Sequence, residues 1–224
     1  MTRSPFSWLG SLFRPRAIEL LGQSGEAGDF AGFEPVQIWV GLGNPGPQHA
    51  MQRHNVGFMA LDAIAEVHGF DPPKKSFHGW AQQGRIGSNR LLLLKPATFM
   101  NDSGRAVRAA MDFFKKDVGD VTLFHDELDL APFKVKVKIG GGTAGHNGLR
   151  STEAHIGNGF RRVRIGIGHP GHKDRVTGHV LGNYAKSETE PLSDMLAAIA
   201  AEAEWLAQGD DARFMSDVAL RLQD

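Results

Sequence analysis

The stretch QIWVGLGNPGPQHAMQRHNVGFMALDAIAEVHG, residues 37–69, constrains the fold more than any other part of the chain. It opens with a short apolar run, Gln37–Val40, passes through a Gly/Pro loop, and then sets Val56, Met59, Ala60, Ala63, Ile64 and Val67 at helical spacing before a stop at Gly69. A buried strand, a loop and an amphipathic helix in that order form the opening unit of an α/β fold. The same grammar continues. Gly79–Ile86 and Arg90–Leu94 flank the turn residues GSN and predict a hairpin. A helix starts near Asn101 or Ser103 and runs through RAVRAAMDFFKK, and VTLFHDELD is an apolar strand ending in charge. In FKVKVKI, strict alternation puts Lys134, Lys136 and Lys138 on one exposed face and Phe133, Val135, Val137 and Ile139 on the other. The loop GGGTAGHNG leads into a short helix, RRVRIGIG is a further strand, HPGHKD is a turn-rich loop, and Ser187–Ala207 and Asp211–Leu222 read as two amphipathic helices. Together these segments predict a single three-layer α/β/α domain around a twisted mixed β-sheet.

A chain of 224 residues suits one compact domain. The absence of cysteine excludes disulfides, thiolate metal sites and a cysteine nucleophile, and fits a reducing, cytoplasmic setting. No apolar run approaches the roughly 20 residues of a membrane helix, so no membrane association is expected. The formal net charge of zero conceals an asymmetry: residues 36–185 carry 19 Lys and Arg against 12 Asp and Glu, or +7, and residues 186–224 carry 3 against 9, or −6. A basic body can bind a polyanion through one face, or it can be an ordinary solvated surface, and charge alone does not choose between them. Residues 1–35 show no sustained period and end in the Gly-rich GQSGEAGDFAGFEP. Their first part, with Arg3, Arg14 and Arg16 and no acid before Glu19, resembles a transit peptide or an interfacial helix. The alternative is an upstream start outside the functional domain, because VQIWVGLGNPG reads as a natural first strand. The expectation is a flexible, dispensable extension over 1–35 and a domain over 36–224, with the C-terminal helices at about 187–222.

Gly41, Gly43 and Gly46 fall in the spacing G-x-G-x-x-G. A dinucleotide site needs these glycines to open a helix facing pyrophosphate, and an acid at the end of the next strand. Here Pro45 and Pro47 bracket Gly46, and Asp62 lies inside the helical pattern, so the glycine spacing points elsewhere. The same stretch holds Asn44 in its loop and His54 at its helix start, followed by Asn55. Taken singly, these are a turn residue and a cap or surface histidine. Three further clusters change that reading: Asn101 in TFMNDSG, Asp126 at the end of its strand, and His146 and Asn147 after the glycine loop. Ligand sites in α/β folds gather at the C-terminal ends of strands, so the clusters are expected to converge. A histidine oriented by an aspartate serves as a general base near neutral pH, and asparagine side chains donate to a carbonyl or bind an amide at both ends. With no activated serine in view, the nucleophile is water. His125, Glu127 and Asp129 lack paired histidine spacing, and alternate strand residues face opposite ways, so neither a metal nor another cofactor is expected. Met59, Met100 and Met111 fit core or cleft packing.

The segments VGLGNPG, RHNVGF, FMNDSG, HDELDL, GGGTAGHNGLRS and RIGIGHPG, in this order from about Ile38 to Tyr184, resemble the bacterial-type peptidyl-tRNA hydrolases. The C-terminal helices fit more loosely, and residues before Val36 have no counterpart. The resemblance implies hydrolysis of the ester between a peptide and the ribose of the tRNA 3′ end, recycling tRNA from peptidyl-tRNA released early by ribosomes. On this resemblance His54 matches the catalytic base and Asp126 the acid that orients it. Asn44, Asn101 and Asn147 match asparagines that hold the peptide backbone, the attacking water or the oxyanion, without saying which does which. Met100 and His146 match substrate contacts, although a helix-start histidine such as His146 is equally a cap. Lys138 and Arg164 match a basic pair resembling a clamp for the tRNA 5′ phosphate, and Lys134 and Lys136 either extend that region or guard an edge strand. His49 stands where the family has Tyr near the tRNA end, and Ala144 where some members have Gly. The glycine loop 140–145 is either a lid or a set of rigid turns. The implied partner is peptidyl-tRNA, through its acceptor stem, 3′ CCA end and 5′ phosphate, bound by a monomer that takes no DNA. Two other functions stand against this one: a relative that binds RNA without turnover, which retention of His54, Asp126 and the three asparagines disfavours, and a dinucleotide-dependent oxidoreductase.

Overall fold

A computed structural model describes residues 30–223. Its sheet has seven strands: β1 (Gln37–Gly41), β2 (Lys74–Ser76), β3 (Gly79–Ile86), β4 (Asn89–Pro96), β5 (Val121–Glu127), β6 (Val135–Ile139) and β7 (Arg161–Gly166), in the order β2-β3-β4-β1-β5-β7-β6. β4, β1, β5 and β7 run parallel, while β2 and β3 on one side and β6 on the other are added antiparallel. The sheet is therefore mixed, as the sequence predicts.

The helices are α1 (Val56–Val67), α2 (Ser103–Phe114), α3 (Asn147–Ile156), α4 (Val176–Val180), α5 (Thr189–Ala201), α6 (Ala203–Gln208) and α7 (Asp211–Arg221). Period-two alternation along the strands sorts the apolar side chains onto two faces. Trp39, Leu91, Leu93 and Phe124 pack with α1 and the C-terminal helices α5 to α7. Ile38, Val40, Leu92, Leu94 and Leu123 pack with α2 and α3. Two cores separated by one sheet give the three layers, and each large side chain fully withdrawn from water contributes about 1.5–3 kcal/mol.

The structure departs from the sequence reading in three places. β2 joins β3 through Phe77 and His78, both left-handed at φ 52° and 54°. That two-residue turn ordinarily advertises itself with Asn-Gly, and neither residue carries the signal. The helix expected over 187–207 breaks at Glu202, whose buried carboxylate accepts from the Trp205 indole (3.1 Å) and the Arg221 guanidinium (2.5 Å). Third, Phe30, ahead of the expected boundary at Val36, is fully buried and packs on Phe77 and Phe114. The rest of the predicted extension, residues 1–29, lies outside the described residues.

The glycines of the opening motif serve close packing. A side chain at Gly41 would meet the Gly57 carbonyl oxygen at 2.4 Å, and one at Gly57 would meet the Phe124 carbonyl oxygen at 2.2 Å. α1 thus lies directly on β1 and β5. The loop after β1 leads first into a single turn, Pro47–His49, and α1 begins only at Val56. No helix N-terminus meets the glycines, so a dinucleotide has no seat there.

Candidate active site

The four parallel strands end on the same edge of the sheet, and the loops that follow them carry the polar clusters. β1 lies centrally, with β4 on one side and β5 on the other, so its C-terminal end is a topological switch point of the sheet. Asn44 follows β1, Met100 and Asn101 follow β4, and Asp126 sits in β5, whose seven residues are all buried.

His54 reaches this edge from the turn Arg53–Asn55 that opens α1. Both neighbours fix that turn. Arg53 donates to the Asn183 carbonyl (2.8 Å) and to Glu188 (2.6 Å), and its guanidinium lies over the Tyr184 ring at 5.2 Å. Asn55 is buried and pairs with the Asn44 backbone at both ends, its Oδ1 accepting from the Asn44 N–H and its Nδ2 donating to the Asn44 carbonyl, each at 2.9 Å. The sequence reading gave Asn55 and Arg53 no role; only the fold brings their partners within reach.

The centre is a carboxylate between two imidazoles. Asp126 Oδ1 accepts from His54 Nδ1 at 2.8 Å and from His146 Nε2 at 2.9 Å. A carboxylate only accepts, so both of those nitrogens carry hydrogen. His146 Nδ1 accepts from the backbone N–H groups of Gly148 and Leu149 and caps α3, which fixes its proton on Nε2. His146 is thus both a cap and a second support for Asp126. His54 uses Nδ1 in the same way, and its Nε2 has no partner among the described residues: the free nitrogen is the basic one.

Burial disfavours protonation of His54, yet the charge of Asp126 and its hydrogen bond together outweigh burial and raise the imidazole above its ordinary value of 6.5. Burial likewise pushes the Asp126 carboxyl up, but the His146 and His54 imidazoles hold it far below the usual carboxylate range. His125, fully buried behind them, is pushed down to about 3 by desolvation and by the neighbouring His146, and it stays neutral with Nδ1 bonded to the Asp126 carbonyl at 2.8 Å.

The three asparagines fall around this centre in two ways. Asn44 Oδ1 accepts from the Met100 backbone N–H at 2.9 Å, which assigns its orientation and leaves the Nδ2 amide without a partner among the described residues. Asn101 and Asn147 are exposed, with no hydrogen-bond partner among the described residues. The segments that carry them meet where Met100 packs on Gly148, at which an added side chain would meet the Met100 sulfur at 2.5 Å. Met100 itself is buried. His49 sits in the turn after β1, half-buried, with Nδ1 3.0 Å from Gln52 Oε1.

Beyond Asp126, the neighbouring strands β6 and β7 carry the basic residues. Lys138 is exposed on edge strand β6, and Arg164 of β7 donates through Nε to Glu127 at 2.9 Å. The glycine loop is pinned. Arg162, 3% exposed, donates to the carbonyls of Gly142 and Gly141 at 2.7 Å each and to Asn158 Oδ1 at 2.6 Å. Residues 140–145 are anchored at Gly141 and Gly142, and Ala144 is left-handed at φ 47°.

His54, Asp126 and His146 offer ligand atoms within 4.8 Å of one another, the one such group among the described residues. Their facing atoms are already spent on one another, and the His146 nitrogen on its far side is spent on the cap, so the donor set is that of a hydrogen-bonded relay rather than a vacant metal site. No helix among the described residues is long and apolar enough to cross a membrane.

Residues 38–223 match the family model described as peptidyl-tRNA hydrolase. The chain is 78% identical over 189 residues to a peptidyl-tRNA hydrolase of Rhizorhabdus wittichii, covering 84% of this chain and 100% of that protein. It is 64% identical over 188 residues to one from Zymomonas mobilis, with the same coverage. Among solved structures, the peptidyl-tRNA hydrolase of Acinetobacter baumannii superposes with a TM-score of 0.77 at 39% identity, over 82% of this chain and 94% of that one.

Proposed function

The chain belongs to the peptidyl-tRNA hydrolase family and is an enzyme that hydrolyses peptidyl-tRNA, and from that premise we propose that His54 is the general base that activates water against the ester at the tRNA 3′ end. The observation that carries this reading is the 2.8 Å hydrogen bond from His54 Nδ1 to Asp126, which leaves Nε2 as the basic atom. Nε2 takes a proton from water as the oxygen attacks the ester carbonyl, and the buried carboxylate stabilises the imidazolium that forms. His146 keeps that carboxylate in place and transfers no proton in the step.

The attack leaves negative charge on the former carbonyl oxygen; its collapse breaks the ester C–O bond, and the His54 imidazolium returns its proton to the departing ribose oxygen. The unpartnered Nδ2 of Asn44, fixed through Met100, is the donor best prepared to receive the negative charge; one such donor is worth about 3 kcal/mol in the transition state. Asn101 and Asn147 stand free to bind the peptide backbone, whose C=O and N–H groups are the same in every sequence, so the site reads the chain's chemistry and not its side chains. Lys138 and Arg164 bind the 5′ phosphate, and His49 lies toward the tRNA end. The enzyme acts as a monomer in the cytoplasm, where peptidyl-tRNA is released, and residues 1–29 are dispensable for it.

The test is release of free tRNA from N-acetylaminoacyl-tRNA, with unblocked aminoacyl-tRNA as the comparison. Cleavage restricted to the blocked substrate, and lowered about 100-fold by Asn44→Asp without loss of fold, supports the reading. Binding of tRNA without cleavage would replace it with the non-catalytic RNA-binding function.

A further inference from the structure

A pocket of about 160 Å³ opens beside the catalytic pair, between the ends of β5, β6 and β7 and the glycine loop. Its charged lining is Lys138, Arg162 and Arg164 against Glu127 and Asp129, with His125 at its back, so three cations face two carboxylates. Arg162 and His125 are more than nine-tenths buried, and each keeps a buried nitrogen with no partner among the described residues, Arg162 Nε and His125 Nε2. Such a lining suits an anion.

Glu127 is the buried carboxylate of this pocket, and both of its oxygens are fixed. Oε2 accepts from Arg164 Nε at 2.9 Å, and Oε1 accepts from the Asp129 backbone N–H at 3.2 Å. The contact with Arg164 is side-on. It uses only Nε, and the two terminal amino groups of the guanidinium have no partner among the described residues.

We propose that Glu127 is the positioning residue of the 5′-phosphate clamp: it locks the Arg164 guanidinium by its inner edge so that the outer fork is held ready for a terminal phosphate. The proposal rests on reading Lys138 and Arg164 as that clamp. A guanidinium fixed before binding loses less side-chain freedom on binding, and its planar fork matches two phosphate oxygens at once. Lysine at position 164 would keep the charge but could not be held in this way. The residual positive charge of the pocket favours a terminal phosphate over a 5′ hydroxyl.

The experiment compares kcat/KM on N-acetylaminoacyl-tRNA bearing a 5′ phosphate with the same substrate bearing a 5′ hydroxyl. Wild type is expected to favour the phosphate by about tenfold or more, the contribution of one charge-assisted contact. Glu127→Ala should bring that ratio to within about twofold of one, through KM and not kcat, whereas Glu127→Gln should keep most of it because its amide oxygen still accepts from Nε. Arg164→Lys should lose it. Retention of the ratio in Glu127→Ala would overturn the proposal. So would a higher ratio in Glu127→Gln, which would make the carboxylate a competitor of the phosphate. A wild-type ratio near one would remove the clamp reading itself, and the proposal with it.

Discussion

Replacing Asp126 with Asn isolates the charge of the central carboxylate from its geometry. Both histidines donate to the same oxygen, Oδ1, at 2.8 and 2.9 Å, and an asparagine Oδ1 in that place can accept both bonds in the same geometry, though without the charge that strengthens them. What disappears is the negative charge that faces the imidazolium in the transition state. Two unit charges about 4 Å apart interact by roughly 4 kcal/mol at an effective dielectric of 20, a value suited to a buried pair. Since ~1.4 kcal/mol is a factor of ten, kcat should fall by about three orders of magnitude. The pH profile gives an independent check. In the wild type the base is inactive when protonated, and Asp126 holds its pKa above 6.5, so the acid limb of the profile lies above that value. In Asp126→Asn the charge that raises it is gone, the hydrogen bond that remains is to a neutral oxygen, and burial, which lowers it, is unchanged; the acid limb should move down. Single-turnover release of tRNA from N-acetylaminoacyl-tRNA between about pH 5 and 9 reads both quantities. A loss of less than about tenfold, or an acid limb that stays in place or rises, would refute the reasoning.

Other perturbations reach further parts of the molecule. His125 is neutral in the fold and pushed down to about 3, so the unfolded chain binds a proton that the folded chain refuses between that value and 6.5. Stability should therefore fall as pH drops through this window, by up to about tenfold in the folding constant per unit from this residue, and denaturant titrations of His125→Asn should show a correspondingly shallower decline. Lys138→Ala should reduce by about one the slope of log affinity for tRNA against log salt, measured by filter binding; an unchanged slope would assign Lys138 to edge protection alone. Arg162→Ala removes two charge-assisted bonds that pin the glycine loop and a third to Asn158, so it should cost about 3 kcal/mol of stability and speed amide exchange over residues 140–146; unchanged exchange there would mean that the backbone turns hold themselves.

Much of this site was legible before any coordinates. The strand, loop and helix around residues 37–69 put Asn44 and His54 at a strand end, and the apolar run ending in HDELD put Asp126 at another. Strand ends of one parallel set must meet at one edge, which is why separate clusters were expected to converge. Pairing within the cluster was not legible. His54 and Asp126 are 72 residues apart, and nothing local in GGTAGHNG states that His146 spends one nitrogen on its own helix and the other on Asp126. Nothing local in RRVRIGIG sets Arg162 apart; the sheet places it against the glycine loop. The turn at Phe77 and His78 and the break at Glu202 were missed because tertiary contacts hold backbone shapes there that the local residues do not signal.

The central claim is that His54, activated by Asp126, removes the proton from the attacking water. Its most direct test is the single-turnover rate of N-acetylaminoacyl-tRNA cleavage by wild type and His54→Ala across pH, with tRNA affinity measured alongside. The account predicts a wild-type rate that climbs with a single titration whose midpoint lies above 6.5, and a His54→Ala rate that is lower by at least about 100-fold and lacks that titration, with tRNA still bound. A His54→Ala protein that keeps the titration, or stays within about tenfold of wild type, would contradict it.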